Sequence, residues 1–237
     1  MKNLPTFTLA KDQRVILKKT LEFIIDYYQK QKKLGEVMGG HGFDHARRVA
    51  GVASFIAVNE NKPPFLPILS ALIHDMGRSN KDLRSRNRLH GQLSREIIDP
   101  FIQKLPLTRG DKNTIGNAIE DHPFLNNEVR KSYVVEILMD ADRLDTLGAI
   151  SPVKSASALW QLPLVGKINL TYGDETRIDS IYGHFGVWIP QWAHMMWTKT
   201  GQKIAKERLK FLKLFNKKFL EELNFMEDCF KNINLHD

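Results

Sequence analysis

The chain has 237 residues, 42% of them hydrophobic, enough for one globular domain with a sizeable core or a domain with an appended subdomain. Its 35 basic and 27 acidic residues give a formal charge of +8, which points to an anionic partner without choosing between a small phosphorylated molecule and a nucleic acid. No run approaches the roughly 18 apolar residues of a membrane span, Met1 to Lys11 hold no apolar core of signal-peptide length, and the single Cys229 offers no internal disulfide; a cytoplasmic protein with no membrane partner is the default expectation.

The apolar spacing predicts helices almost throughout. The first runs from about Asp12 to Lys33, with Val15, Ile16, Leu21, Ile24, Ile25 and Tyr28 on its apolar side. Gly39-Gly40 breaks the chain, and Asp44 stands where it can cap or open a second helix that continues to about Asn59. Pro63-Pro64 starts a third, which ends near Met76-Gly77. Further helices are expected over about Leu93 to Lys104, Lys112 to Asp121, Glu128 to Leu147 and Asp179 to Trp197, and a long last one over about Gln202 to Phe230. Leu162 to Asp174 reads as an irregular connection with room for a short hairpin. No repeat, low-complexity tract or linker divides the chain. The expectation is one domain over 1–237, with its core at about 41–150 and a helical C-terminal extension at about 179–230.

Three of these helices end or begin in residues of metal-ligand type. His45 opens a run in which Val49, Val52, Ala53 and Ile56 follow at helical spacing. His74 and Asp75 close the run Leu66, Leu69, Leu72, Ile73, and Asp142 follows Val135, Leu138 and Met139. Each therefore lies on, or one step beside, a face that packs inward. An isolated His-Asp pair is ordinarily a packed histidine beside a surface acid. That reading weakens when three apolar helices all carry such groups, because a buried charge without a partner is costly. A divalent cation would offset that cost. Two imidazoles with two carboxylates suit manganese, iron, cobalt, nickel or zinc; magnesium, which prefers oxygen, fits less well.

His45 with Arg48-Val49, then Leu72-Ile73-His74-Asp75, then Asp140-Ala141-Asp142-Arg143-Leu144-Asp145 resemble the motifs of the HD-domain superfamily of metal-dependent phosphohydrolases. The segment 142–150, His184-Phe185 and the stretch 198–208 are similar to a bacterial branch of single-domain members. The resemblance implies an all-α, HD-domain-like helical bundle and a metal held by His45, His74, Asp75 and Asp142. Asp140 and Asp145 compete for the last position. Asp142 is preferred, and Asp145, three residues further on the same face, is expected to orient a ligand, a water or the substrate. Asp140 points away from that face. His90 and His122 occupy places where histidines of this superfamily contact a second metal or the substrate phosphate. They are therefore assigned, with Asp75, to catalysis. Here Pro123 stands in the His122-Pro123-Phe124 segment where the superfamily often has serine.

Basic groups complete the expected site. The loop from Arg78 to Arg88 carries Arg78, Lys81, Arg84, Arg86 and Arg88 against the single acid Asp82. Arginine pairs bidentately with phosphate, so Arg78, Arg84 and Arg86 are candidate substrate contacts, set against a merely solvated loop. Arg48, one turn after His45, is a further candidate. Lys199, Lys203, Lys206, Lys210, Lys213 and Lys217 form a continuous stripe that reads as solvated surface. The expected function is hydrolysis of a nucleotide or another small phosphorylated metabolite by metal-activated water. The alternative is a non-catalytic, metal-stabilised regulator or nucleic-acid-binding module that uses the basic loop and the lysine stripe.

Overall fold

The computed structural model describes residues 6–35, 39–78, 89–123, 132–165 and 180–232. Among them are nine α-helices, one π-helical segment and no strand, an all-α fold. The helices are α1 (Lys11–Lys33), α2 (Phe43–Asn59), α3 (Phe65–Ile73), α4 (Leu89–Ile102), α5 (Arg109–Asp121), α6 (Tyr133–Leu144), α7 (Ile150–Ala158), α8 (Ile189–Trp192) and α9 (Lys199–Lys231). The π segment, Gly183–Trp188, runs directly into α8. No helix among the described residues is long and apolar enough to cross a membrane.

α3 is the axis of the fold. Its sequence, FLPILSALI, is apolar on nearly every side, and all of Phe65 and Pro67 to Ile73 is buried. A helix without a polar face must be enclosed. α2, α6, α5 and α1 enclose it, α4 pairs with α5, and α9 lies across α6 and reaches α2 and α8. α6 is nearly as enclosed, with Val134, Val135, Ile137, Leu138, Met139, Ala141 and Leu144 buried. The helices that carry the ligand-type residues are thus the innermost ones. Side-chain caps fix where several helices begin. Thr108 accepts from Asp111 N, Ser132 from Val135 N and Thr198 from Gly201 N.

Several boundaries differ from the sequence expectation. Gly42, not Asp44, is the N-cap of α2, and Asp44 lies in the first turn. Pro64 caps α3 from outside the helix. Gly77 does not terminate a helix with positive φ; a Cβ there would sit 2.5 Å from Ser94 N and 2.6 Å from His90 O, so it is small because α4 crosses it. The single helix expected over Asp179 to Trp197 is the π segment plus the four-residue α8. Pro190 has no N–H to return to the Gly186 carbonyl, and Asn216 Nδ2 on α9 donates to that oxygen at 3.0 Å instead. α7 was not anticipated at all, because its buried face is Ser151, Lys154 and Ser155 and carries no apolar period. The irregular connection beyond residue 165, the start of the expected Glu128 helix, and Arg84 and Arg86 lie outside the described residues.

Candidate metal centre

α2 delivers His45 on its inward face, and the turn that follows α3 delivers His74 and Asp75. α6 delivers Asp142 one turn before its end. His45, His74 and Asp75 are each no more than 2% exposed, whereas the Asp142 side chain is 24% exposed. His45 Nε2 stands 3.2 Å from Asp142 Oδ1 and 3.4 Å from Asp75 Oδ2. His74 Nε2 stands 3.7 Å from each of those two carboxylates. Three atoms of this cluster, His45 Nε2, His74 Nε2 and Asp75 Oδ1, are buried and make no hydrogen bond. Buried polar atoms are almost always paired.

The other ring nitrogens are occupied. His74 Nδ1 donates to the Ala71 carbonyl at 2.8 Å, which leaves Nε2 with its lone pair toward the cluster. His45 Nδ1 is 2.7 Å from Asp145 Oδ2. A carboxylate behind the far nitrogen is the usual way of fixing a ligating imidazole. The residues present therefore fit a small divalent cation, on their chemistry as well as their spacing.

Asp145 ends α6 as its C-cap residue, and protein groups engage both its oxygens. Besides His45, Arg48 Nε reaches Oδ1 at 2.7 Å and Arg48 Nη2 reaches Oδ2 at 2.9 Å. Lys154 Nζ lies 3.5 Å from Oδ2, 3.3 Å from His45 Nδ1 and 3.0 Å from Thr146 Oγ1. Asp140 is turned the opposite way, as expected. It accepts from Trp197 N, Thr198 N and Thr198 Oγ1 and so holds the start of α9.

Asp75 has a second side. His122 Nε2 lies 3.5 Å and His90 Nε2 3.6 Å from Oδ1, and the two rings meet at 3.0 Å between their Nε2 atoms. His122 Nδ1 donates to the Ile119 carbonyl at 2.6 Å, so its Nε2 accepts and His90 Nε2 donates when both rings are neutral. Both histidines are buried, at 3% and 5% exposure. Arg78 Nε approaches the same oxygen at 3.5 Å.

Electrostatics follow from this crowding. Burial alone would raise the Asp75 carboxyl, but His74, His41 and His122 hold it well below the usual range. Burial acts likewise on Asp142, and His45 and His74 overcome it. Burial and the Lys154 ammonium push the His45 ring down, yet the facing carboxylates Asp142, Asp145 and Asp75 carry it up to about 9. Burial also opposes ionisation of Asp145, which His45, Arg48 and Lys154 bring down to about 2.

Sequence reasoning missed two members. His41 Nδ1 sits 2.7 Å from Asp75 Oδ2, but it lies in a glycine-rich turn without helical periodicity. Lys154 is buried on the unanticipated α7. The signal for Lys154 was one charge within a run of small residues, which is weak on its own.

Residues 42–147 match the family model for the HD domain. Over that segment the protein carries an HD domain. It is 26% identical over 189 residues to the Bacillus subtilis protein YpgQ, covering 78% of this chain and 85% of that one. A Lactobacillus plantarum structure superposes with a TM-score of 0.68 at 19% identity, over 92% of this chain and 99% of that one. An HD-superfamily hydrolase from Bacillus thuringiensis does so with a TM-score of 0.65 at 20% identity, over 90% and 99%. YpgQ in complex with ADP gives 0.57 at 24% identity, over 92% and 100%. The HD-domain match over 42–147 supports a metal-dependent hydrolase in general. The matched HD segment starts just after His41 and stops before α7, so α1, His41 and Lys154 lie outside it.

Proposed function

We propose that this HD-domain protein is a phosphohydrolase acting on a nucleotide or another small phosphorylated metabolite. The observation that carries the reading is the convergence of two buried, unpartnered imidazole nitrogens, His45 Nε2 and His74 Nε2, on the carboxylates of Asp75 and the partly exposed Asp142. The relative YpgQ in complex with ADP supports a phosphorylated ligand.

His45, His74, Asp75 and Asp142 would hold a divalent metal, manganese, iron, cobalt, nickel or zinc before magnesium. Such an ion, when bound, acidifies a water and draws charge from a phosphoryl oxygen. The protein groups do the rest. Asp145 fixes the His45 ring through Nδ1, with Arg48 and Lys154 holding Asp145 in turn. His90 and His122 share one proton between their Nε2 atoms on the Oδ1 side of Asp75. The His90 Nε2–H can turn to a substrate oxygen as a hydrogen-bond donor; full proton transfer requires the pair first to carry an extra proton as an imidazolium. Arg78, beside the same carboxylate, supplies a fixed cation toward phosphate. Arg84 and Arg86 belong to this proposal on sequence grounds. A single domain, a cytoplasmic setting and a partner that is a small molecule rather than nucleic acid complete it.

The test is a panel of phosphorylated metabolites offered to the purified protein with each divalent metal in turn. Turnover of at least one nucleotide, abolished by chelation and by Asp75→Ala, is the expected result. Salt-sensitive binding of long nucleic acid with no turnover of any compound would replace it with the regulator.

A further inference from the structure

α9 is 33 residues long, and only its first half is anchored in the core. Its last buried residues are Leu209 and Leu212, and every residue from Asn224 to Lys231 is exposed. Helical turns without tertiary packing are marginal in water. The face opposite Leu209 and Leu212 nevertheless carries an apolar pattern of its own. Phe211, Leu214, Lys218, Glu221, Phe225 and Asp228 follow one another at alternating steps of three and four, the spacing of a two-helix seam. Leu214 is 67% and Phe225 69% exposed. Lys218, Glu221 and Phe225 also line a surface cavity of about 520 Å³. Single exposed apolar residues need no explanation, but these share one line along the helix.

The order of these residues is self-complementary. With two copies of the seam antiparallel about a two-fold axis between Phe219 and Leu220, Leu214 meets the partner's Phe225. Lys218 meets the partner's Glu221, and Phe211 meets the partner's Asp228. A parallel pair would instead oppose Lys218 to Lys218 and Glu221 to Glu221, like charge on like charge. The helix as a whole has the same bias. Its lysine stripe ends at Lys217, and the outer turns carry Glu221, Glu222, Glu227 and Asp228. An antiparallel pair lays that acidic end along the partner's basic stretch. Because the seam faces away from the buried side of α9, the two globular bodies fall on the outer sides of the pair.

We infer that α9 is a self-association surface on which two copies of this chain pair antiparallel through Leu214, Lys218, Glu221 and Phe225. The interface is isologous, each residue meeting its complement twice. The apolar layers supply the attraction, and the Lys218–Glu221 layers fix direction and register. The inference is independent of the phosphohydrolase reading.

The test is the oligomeric state of the whole chain, measured by sedimentation from low micromolar to about 200 μM. Reducing buffer keeps Cys229 from trapping chance dimers. Wild type should be dimeric at the upper end. Leu214→Glu should be monomeric throughout, and Lys218→Glu should weaken the dimer about tenfold by facing the partner's Glu221 with a like charge. Adding Glu221→Lys to Lys218→Glu should return the affinity to within about threefold of wild type, because the swap restores the pair. These side chains are exposed, so the urea midpoint measured at low concentration should stay near that of wild type in every variant. A wild type that is monomeric throughout, a dimer indifferent to Leu214→Glu, or a double variant as weak as Lys218→Glu alone would overturn the assignment.

Discussion

At the scale of single residues, the candidate centre sorts its groups by what each would lose on truncation. His74 Nδ1 is spent on a backbone carbonyl and its Nε2 has no protein partner. His74→Ala and Asp142→Ala should therefore lose bound metal, measured by elemental analysis of protein purified in manganese; full occupancy in both variants would reject the ligand set. Asp145 acts one step behind. Asp145→Asn keeps the shape but weakens the hold on His45 Nδ1 and leaves Arg48 without its carboxylate. Metal affinity should drop by about ten- to a hundredfold, read by competition with a chelating dye. His90 and His122 face Asp75 Oδ1, away from the atoms that crowd His45. His122→Ala should cut kcat on the best substrate about a hundredfold with most metal retained. Unchanged kinetics would make the pair structural.

At the scale of elements, the site depends on how helix ends are held. Asp140 ties the innermost helix α6 to the start of α9 through three hydrogen bonds. Gly201 must be small for that contact to exist, since a Cβ there would lie 2.3 Å from Asp140 Oδ2, inside a buried network. Gly201→Ala is expected to destabilise the fold by about 1–3 kcal/mol, seen as a shifted urea midpoint with unchanged slope. A midpoint equal to wild type would mean that the network relaxes freely. The lysines of the α9 stripe are exposed, in agreement with their reading as solvated surface.

For the molecule as a whole, buried histidines other than the two ligand candidates govern the response to acid. Burial, and then Lys154, lowers the His184 ring to about 4; its Nδ1 meets Ser155 Oγ at 2.7 Å. Burial lowers His41 to about 3 against the pull of Asp75. Both are neutral in the fold, while the unfolded chain takes up their protons below about 6.5. Their stabilisation is complete above about 6.5 and is lost as pH falls toward those folded values. Asp140 runs the other way, because burial raises it to about 6, so its contribution is present at low pH and lost as pH rises through that value. His45, raised to about 9, also opposes them but acts mostly above pH 6.5, so the two lowered histidines outweigh it and Asp140 together between pH 4.5 and 6.5. The chelator-treated protein should show a lower urea midpoint at pH 4.5 than at pH 6.5. His184→Gln should shrink that difference, and an unaltered difference would remove His184 from the account.

The sequence by itself determined the helical class and the three stretches on which His45, His74, Asp75 and Asp142 lie. Apolar periodicity reports which face of a helix is enclosed, and a charged group on such a face stands out. His90 and His122 were singled out only through the resemblance to the HD superfamily. Tertiary structure decided the rest. That His45 leans on Asp145, that Lys154 is buried beside them, and that His41 reaches Asp75 all depend on how a turn or a polar-faced helix is laid against another element. No local pattern encodes such distances. The α8 region shows the same limit, because whether Pro190 breaks a helix there depended on a partner for the Gly186 carbonyl, and that partner, Asn216, comes from a helix remote in the chain.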